Sequence, residues 1–110
     1  MVEQILSEVI ERFNRKVEED PKLASELHGL RRTIQVEVTD GETCHFVLEN
    51  SRVGPLQKGG IANPDIRVSA SADTFTKLYK GELRAMKALA TKQIRINASF
   101  EDMLRFRKLF

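Results

Sequence analysis

The apolar residues of this chain change their spacing once, and that change limits the fold class. In the first segment they fall at Val2, Ile5, Leu6, Val9, Ile10, Phe13 and Val17, with Glu and Arg between them. This is the stripe of an amphipathic helix over 2–17. After Gly29 the period drops to two. Ile34, Val36 and Val38 alternate with polar neighbours, as in a strand with one buried face. A chain that begins with a helical stripe and then alternates must pack helices against a sheet. With 110 residues it has room for one domain, spanning 1–110.

Between the two patterns, Glu18-Glu19-Asp20-Pro21 ends the first helix and opens a short one. Pro21 suits a first helical turn, Asp20 its N-cap, and Gly29 its stop. Asp40-Gly41 predicts a two-residue I′ hairpin turn. The return strand, 43–49, then sets Cys44, Phe46 and Leu48 on one side and Thr43, His45 and Glu49 on the other. Glycines and Pro55 punctuate 52–60, so any third strand there is short and at an edge. Asn63-Pro64-Asp65 is a turn, and 66–70 alternates again. Ser71 or Asp73 caps a helix that stops at Gly81, and a further helix spans 83–90. A last strand covers 93–97. Ser99-Phe100-Glu101-Asp102 then has the form of a capping box opening a terminal helix. The order ααββ(β)βααβα predicts an α+β domain with one mainly antiparallel sheet.

Hydrophobic residues make up 41% of the chain and charged residues 31%, which excludes disorder as the main state. No apolar run approaches the ~18 residues of a membrane span. The start, Met1-Val2-Glu3-Gln4, lacks the pattern of a secretion signal, and one cysteine excludes an internal disulfide; a cytoplasmic protein is expected. The net charge of +2 is unevenly spread. Residues 1–40 carry six Lys/Arg against nine Asp/Glu, a net of −3, whereas 77–110 carry nine against three, a net of +6. A basic segment can meet an anionic headgroup, a membrane surface or nucleic acid. With one Tyr and no Trp the stacking platforms of single-strand binders are missing, so no nucleic-acid partner is expected.

Little in the chain points to catalysis. Gly54 to Gly60 has phosphate-loop glycine spacing, but Gly60 and Ile61 stand where Lys and Ser/Thr are required. Cys44 and His45 are strand neighbours and so face opposite ways, which prevents a nucleophile–base pair. Two histidines and one cysteine so placed give no metal-ligand spacing. Glu37, Glu42 and Glu49 can share the polar face of the hairpin, where carboxylates usually serve solubility. No catalytic residue, metal or cofactor is expected.

From Asn63 onward the chain resembles the sterol carrier protein 2 (SCP2) family. The residues that carry the likeness are Pro64-Asp65, an alternating strand, and then Ser71-Ala72-Asp73-Thr74-Phe75-Thr76-Lys77-Leu78-Tyr79-Lys80-Gly81-Glu82-Leu83. Lys87-Ala88-Leu89-Ala90 followed by Ile94-Arg95-Ile96 resembles the family's helix-then-strand signature, and Leu104 to Leu109-Phe110 its final helix. Weaker similarity covers 34–48. Lys92 and Ala98 stand where the family usually has glycine. The end, Lys108-Leu109-Phe110, is not a Ser-Lys-Leu-type peroxisomal address.

The resemblance implies a five-stranded sheet covered by helices, with an apolar cavity that binds a fatty acid, acyl-CoA, sterol or isoprenoid without catalysis. Phe46, Leu48, Ile66, Val68, Ile94 and Ile96 would form its sheet wall. Phe75, Leu78, Met86, Leu89, Met103, Phe106 and Phe110 would form its helical walls, with Met86, Leu89, Met103, Phe106 and Phe110 first among them. The same spacing also serves a plain core. Lys77, Lys80, Arg84, Lys87 and Lys92 could meet an anionic headgroup or membrane surface, and the terminal helix is the expected lid. Two other classes compete: an accessory protein presenting a lipid-like intermediate to a partner enzyme, and an enzyme on a START-like or hotdog-like scaffold.

Overall fold

The computed structural model describes residues 2–107, with side chains described through residue 105. Its elements are α1 (Val2–Glu19), α2 (Pro21–Leu27), β1 (Arg32–Val38), β2 (Thr43–Glu49), β3 (Arg52–Val53), β4 (Gln57–Lys58), β5 (Ile66–Ala70), α3 (Ala72–Lys80), α4 (Ala85–Ala90), β6 (Ile94–Asn97) and α5 (Phe100–Arg107). This is the expected α+β order. The fourth helix starts two residues later than the apolar pattern suggests, and the edge region forms two very short strands rather than one.

The sheet runs β3-β2-β1-β5-β6, with β4 also paired to β2. All pairings are antiparallel except β1 with β5. β1 lies at the centre, where alternation gives it an apolar face of Ile34, Val36 and Val38, all buried. The registers align side chains in rows across that face. One row is Phe46, Ile34 and Ile66; the next is Cys44, Val36, Val68 and Ile96; the third ends in Val38, Ala70 and Ile94.

The helices cover these rows unevenly. Val2, Leu6, Ile10, Phe13 and Val17 of α1 pack against the core with Leu23 and Leu27 of α2. Ile34, Val36, Val38 and Cys44 on β1 and β2 are buried, but Phe46, Val68, Ile94 and Ile96 stay half-buried. On the β6 side, at one end of the sheet, the apolar row positions Val68, Ile94 and Ile96 are all incompletely covered.

Side-chain clamps fix the frame. Asn14 of α1 donates to the Val53 carbonyl and accepts the Val53 N–H, both at 2.8 Å, so a side-chain amide completes the edge strand β3. Asp65 accepts the Thr33 N–H at 2.8 Å, and its own N–H donates to Thr33 Oγ1 at 2.9 Å, which locks the starts of β1 and β5 together. Tyr79 of α3 donates to Glu8 of α1, and Arg12 stands over its ring, 5.0 Å from the centroid. Asp20 caps α2 as expected, accepting from the N–H groups of Lys22 and Leu23.

The Asp40-Gly41 expectation is corrected. Neither residue has positive φ. The chain turns instead with the Gly41 N–H bonded to the Val38 carbonyl at 3.0 Å. Asp40 is engaged elsewhere: its carboxylate accepts the Ala72 N–H at 2.9 Å, joining this turn to the start of α3. The paired left-handed residues of an I′ turn occur one hairpin later, at Asn50 (φ 54°) and Ser51 (φ 58°), between β2 and β3. Asn tolerates that conformation because its short amide bonds locally.

Candidate functional site

On the β6 side of the sheet, the described residues leave an open groove of about 440 Å³ lined by Leu89, Lys92, Ile94, Arg95 and Ile96. α4 packs on β6 through Ala88, which is fully buried. Leu89, the next residue, lines the groove together with Ile94 and Ile96. The groove follows the sheet edge, so it collects residues from both faces of the strand.

One residue of the groove has an uncommon backbone. Lys92 has φ 62°, a left-handed conformation that closes α4. The Lys92 N–H reaches back to the Leu89 carbonyl and the Gln93 N–H to the Ala88 carbonyl, the arrangement that usually ends in glycine. A side chain there costs on the order of 1 kcal/mol. Lys92 and Arg95 are exposed, and neither forms an ion pair among the described residues.

Large apolar side chains are exposed on the two helices flanking β6. Met86 of α4 is 62% exposed and Phe100 of α5 is 79% exposed, with Met103 and Leu104 also open to solvent. Three of them, Phe100, Met103 and Leu104, lie on α5 among its described side chains.

α5 is held to the sheet by charge. The Asp102 carboxylate, 3% exposed, accepts from Arg32 Nε at 2.8 Å and from Arg105 Nη1 at 2.6 Å. Burial alone would raise this carboxyl. The hydrogen bond and charge of Arg32, with Arg105 and the Ser99 hydroxyl, outweigh burial and hold it below the usual carboxylate range. The capping box is thus half formed: the Asp102 N–H donates to Ser99 Oγ at 3.1 Å, but the carboxylate turns to the arginines.

The sequence-derived site residues separate into three groups. Leu48, Ile66 and Phe75 are buried in the core, and Phe46 packs against it half-buried. Leu89 and Ile94 line the groove, with Val68 and Leu78 half-buried. Met86 and Met103 are exposed and do not line the groove. The side chain of Phe106 and the whole of Phe110 lie outside the described residues. Sequence reasoning missed Arg95 as a groove residue and Arg32 as the partner of Asp102. The basic pattern near β6 was the available signal for Arg95; nothing local signalled Arg32.

A second recess of about 250 Å³ lies between the start of α1 and the β1–β2 turn, where Val2, Leu6, Val38 and Cys44 meet Glu3 and Glu42. Burial, then the charges of Glu3 and Glu42, push the Cys44 thiol up, so it stays protonated and unreactive. Its Sγ faces the Val36 carbonyl, whereas His45 Nδ1 lies 2.8 Å from the Gly59 carbonyl. The two side chains do not meet. Glu37 accepts from Gln35 and Ser69 on the polar face of the sheet. Among the described residues no three His, Cys, Asp or Glu side chains are grouped to hold a metal ion. No described helix is long and apolar enough to cross a membrane.

Comparisons with known proteins agree on the architecture. No curated protein sequence matches the chain. Among solved structures, Sterol Carrier Protein 2 Like 2 from Aedes aegypti superposes with a TM-score of 0.66 at 16% identity, with all of both chains covered. The UbiJ-SCP2 ubiquinone synthesis protein gives a TM-score of 0.62 at 16% identity, over 94% of this chain and 84% of that one. The stereoselective inverting sec-alkylsulfatase Pisa1 from Pseudomonas sp. gives 0.60 at 15% identity over 79% of this chain, which spans only 14% of the sulfatase's length. At these identities the likeness is one of fold. The sequence itself matches the family model over residues 10–110, so the chain belongs to the SCP-2 sterol transfer family.

Proposed function

We propose that this protein binds one lipid at the β6 groove and carries it without chemical change. The supporting observation is the incomplete cover of the sheet rows, which leaves Ile94 and Ile96 half-buried and lining, with Leu89, a groove of about 440 Å³. A lipid tail placed there leaves water, a gain of roughly 0.8 kcal/mol per buried CH₂. The exposed Met86, Phe100, Met103 and Leu104 extend the apolar surface that a longer tail would cover, and Met adapts to varied ligand shapes. α5 is the lid in this reading, Phe106 and Phe110 are candidate ligand contacts, and the Arg32–Asp102 pair holds the helix closed. Fatty acids, acyl-CoA, sterols and isoprenoids are the candidate classes. Lys80, Arg84 and Lys87 face an anionic membrane surface when the lipid is exchanged. The cytoplasm is the proposed site of action.

The test is titration with a fluorescent fatty acid, followed by competition with unlabelled lipids of each class. Saturable binding at one site, displaced by one class, supports the proposal. No saturable binding by any class contradicts it.

A second reading has its own support. The groove is open along the sheet edge, so a bound lipid stays accessible to another protein, and a structure of the same fold is described as a ubiquinone synthesis protein. In that reading the chain presents an isoprenoid intermediate to a partner enzyme. Copurification with an enzyme that acts on the bound lipid distinguishes it from free transfer.

A further inference from the structure

The recess between the start of α1 and the β1–β2 turn shares no lining residue with the β6 groove. Its volume is about 250 Å³. Val2, Leu6, Val38 and Cys44 give it apolar walls, and the carboxylate residues Glu3 and Glu42 also line it. We propose that this recess is a second binding site, which takes a small organic ammonium with a compact apolar body. It is independent of the lipid-binding reading.

The strand register puts Glu42 on the apolar side of the sheet. Its carbonyl accepts the Val38 N–H at 3.3 Å, so it extends the β1–β2 ladder by one pair beyond Glu37 and Thr43. Side chains alternate along a strand, so Glu42 shares its side with buried Cys44 and with Val38 opposite. A carboxylate there breaks the apolar run of Cys44, Phe46 and Leu48 on that side. Breaks of this kind concentrate at functional sites.

Glu3 reaches the same space from α1. It stands three residues before Leu6, on the same flank of the helix. Its place in the first turn also suits the α1 dipole, whereas no such local role accounts for Glu42. After burial, the charges of Glu3 and Glu42 are what raise the Cys44 thiol. The two carboxylates therefore act on one volume, with the thiol at its wall.

The recess has charge without a partner. Neither Glu3 nor Glu42 forms an ion pair among the described residues, and Lys58, the register partner of Cys44, pairs with neither. Residues 1–40 carry a net of −3, a field that draws a cation toward this end of the molecule. An ammonium at the recess gains charge-assisted hydrogen bonds to the carboxylates. Its apolar body leaves water against Leu6 and Val38.

The experiment titrates the full chain with hexylammonium, hexanol and hexanoate, which share a chain length and differ in headgroup. Methyl NMR signals of Leu6 and Val38 report on the recess, and those of Leu89 and Ile94 on the β6 groove. Hexylammonium is expected to shift Leu6 and Val38 and to bind severalfold more tightly than hexanol, with hexanoate weakest. E42Q keeps the size of the side chain and removes its charge. It is expected to weaken hexylammonium severalfold, E3Q to weaken it less, and the double variant to lose the preference over hexanol. Thermal unfolding checks that each variant is folded. Raised salt is expected to weaken hexylammonium binding in the native protein, a readout that needs no substitution. Equal affinity for the three probes, or shifts confined to Leu89 and Ile94, overturns the site. So does hexylammonium binding that neither the double variant nor salt weakens, or no binding of hexylammonium at all. Each of these results leaves the lipid-binding reading of the β6 groove to its own test.

Discussion

Arg32, the first residue of β1, and Asp102, on the first turn of α5, are joined by a 2.8 Å hydrogen-bonded ion pair, although 70 residues separate them. The pair is what holds the terminal helix over the start of the central strand. Arg105 supplies the carboxylate's second oxygen with a donor. Removing one partner of a buried charge leaves the other without compensation.

Asp102→Asn is therefore expected to loosen α5 and cost about 2 kcal/mol of stability. Amide hydrogen exchange would show increased exchange in 100–107 with the sheet still protected. Arg32→Gln should do the same, and the double substitution should cost less than the sum of the two. If the singles are additive, the two residues do not act as a pair.

The pH dependence follows from the lowered Asp102 carboxyl. A folded-state value below the unfolded one means that the stabilisation is present above the unfolded value. It is lost as the pH falls through the folded value. Stability measured by chemical denaturation is expected to decline in this acidic range, with a shallower decline in Asp102→Asn. Parallel declines would remove Asp102 from the account.

Ending the chain after Arg105 is expected to raise the lipid off-rate without unfolding the sheet, because α5 is the lid in the proposed mechanism. Stopped-flow release of a bound fluorescent fatty acid reads this directly. An off-rate unchanged in a folded truncation would assign the lid elsewhere.

Leu48→Ala and Met86→Ala separate core from surface. Leu48, 2% exposed, should lose about 2–5 kcal/mol on truncation. Met86 should lose no more than about 0.5 kcal/mol. Denaturant midpoints compare the two, and equal losses would contradict the exposure of α4. Cys44 offers a matching check. Its buried, raised thiol is expected to react with a disulfide reagent only on unfolding.

The order of helices and strands was legible because each element keeps one period along its length. Ile34, Val36 and Val38 announce a buried strand face without reference to any other segment. The site was less legible, because lining a groove depends on what fails to cover a residue. Ile66 and Ile94 occupy similar positions in alternating strands, yet one is buried and the other half-open. The difference arises from where α1 and α2 end across the sheet, which no local pattern records. The hairpin turn failed for a related reason. Asp40-Gly41 has the composition of an I′ turn, but Asp40 is held by the Ala72 N–H of a distant helix. Asp102 likewise matches a local cap and is taken by a strand residue far away in sequence.

The most direct test of lipid carriage is native mass spectrometry of the purified full chain, followed by solvent extraction and identification of what is released. The account predicts a reproducible one-to-one adduct whose extract is a defined lipid. A protein that carries no adduct, and takes up neither a fluorescent fatty acid nor an acyl-CoA, would contradict it.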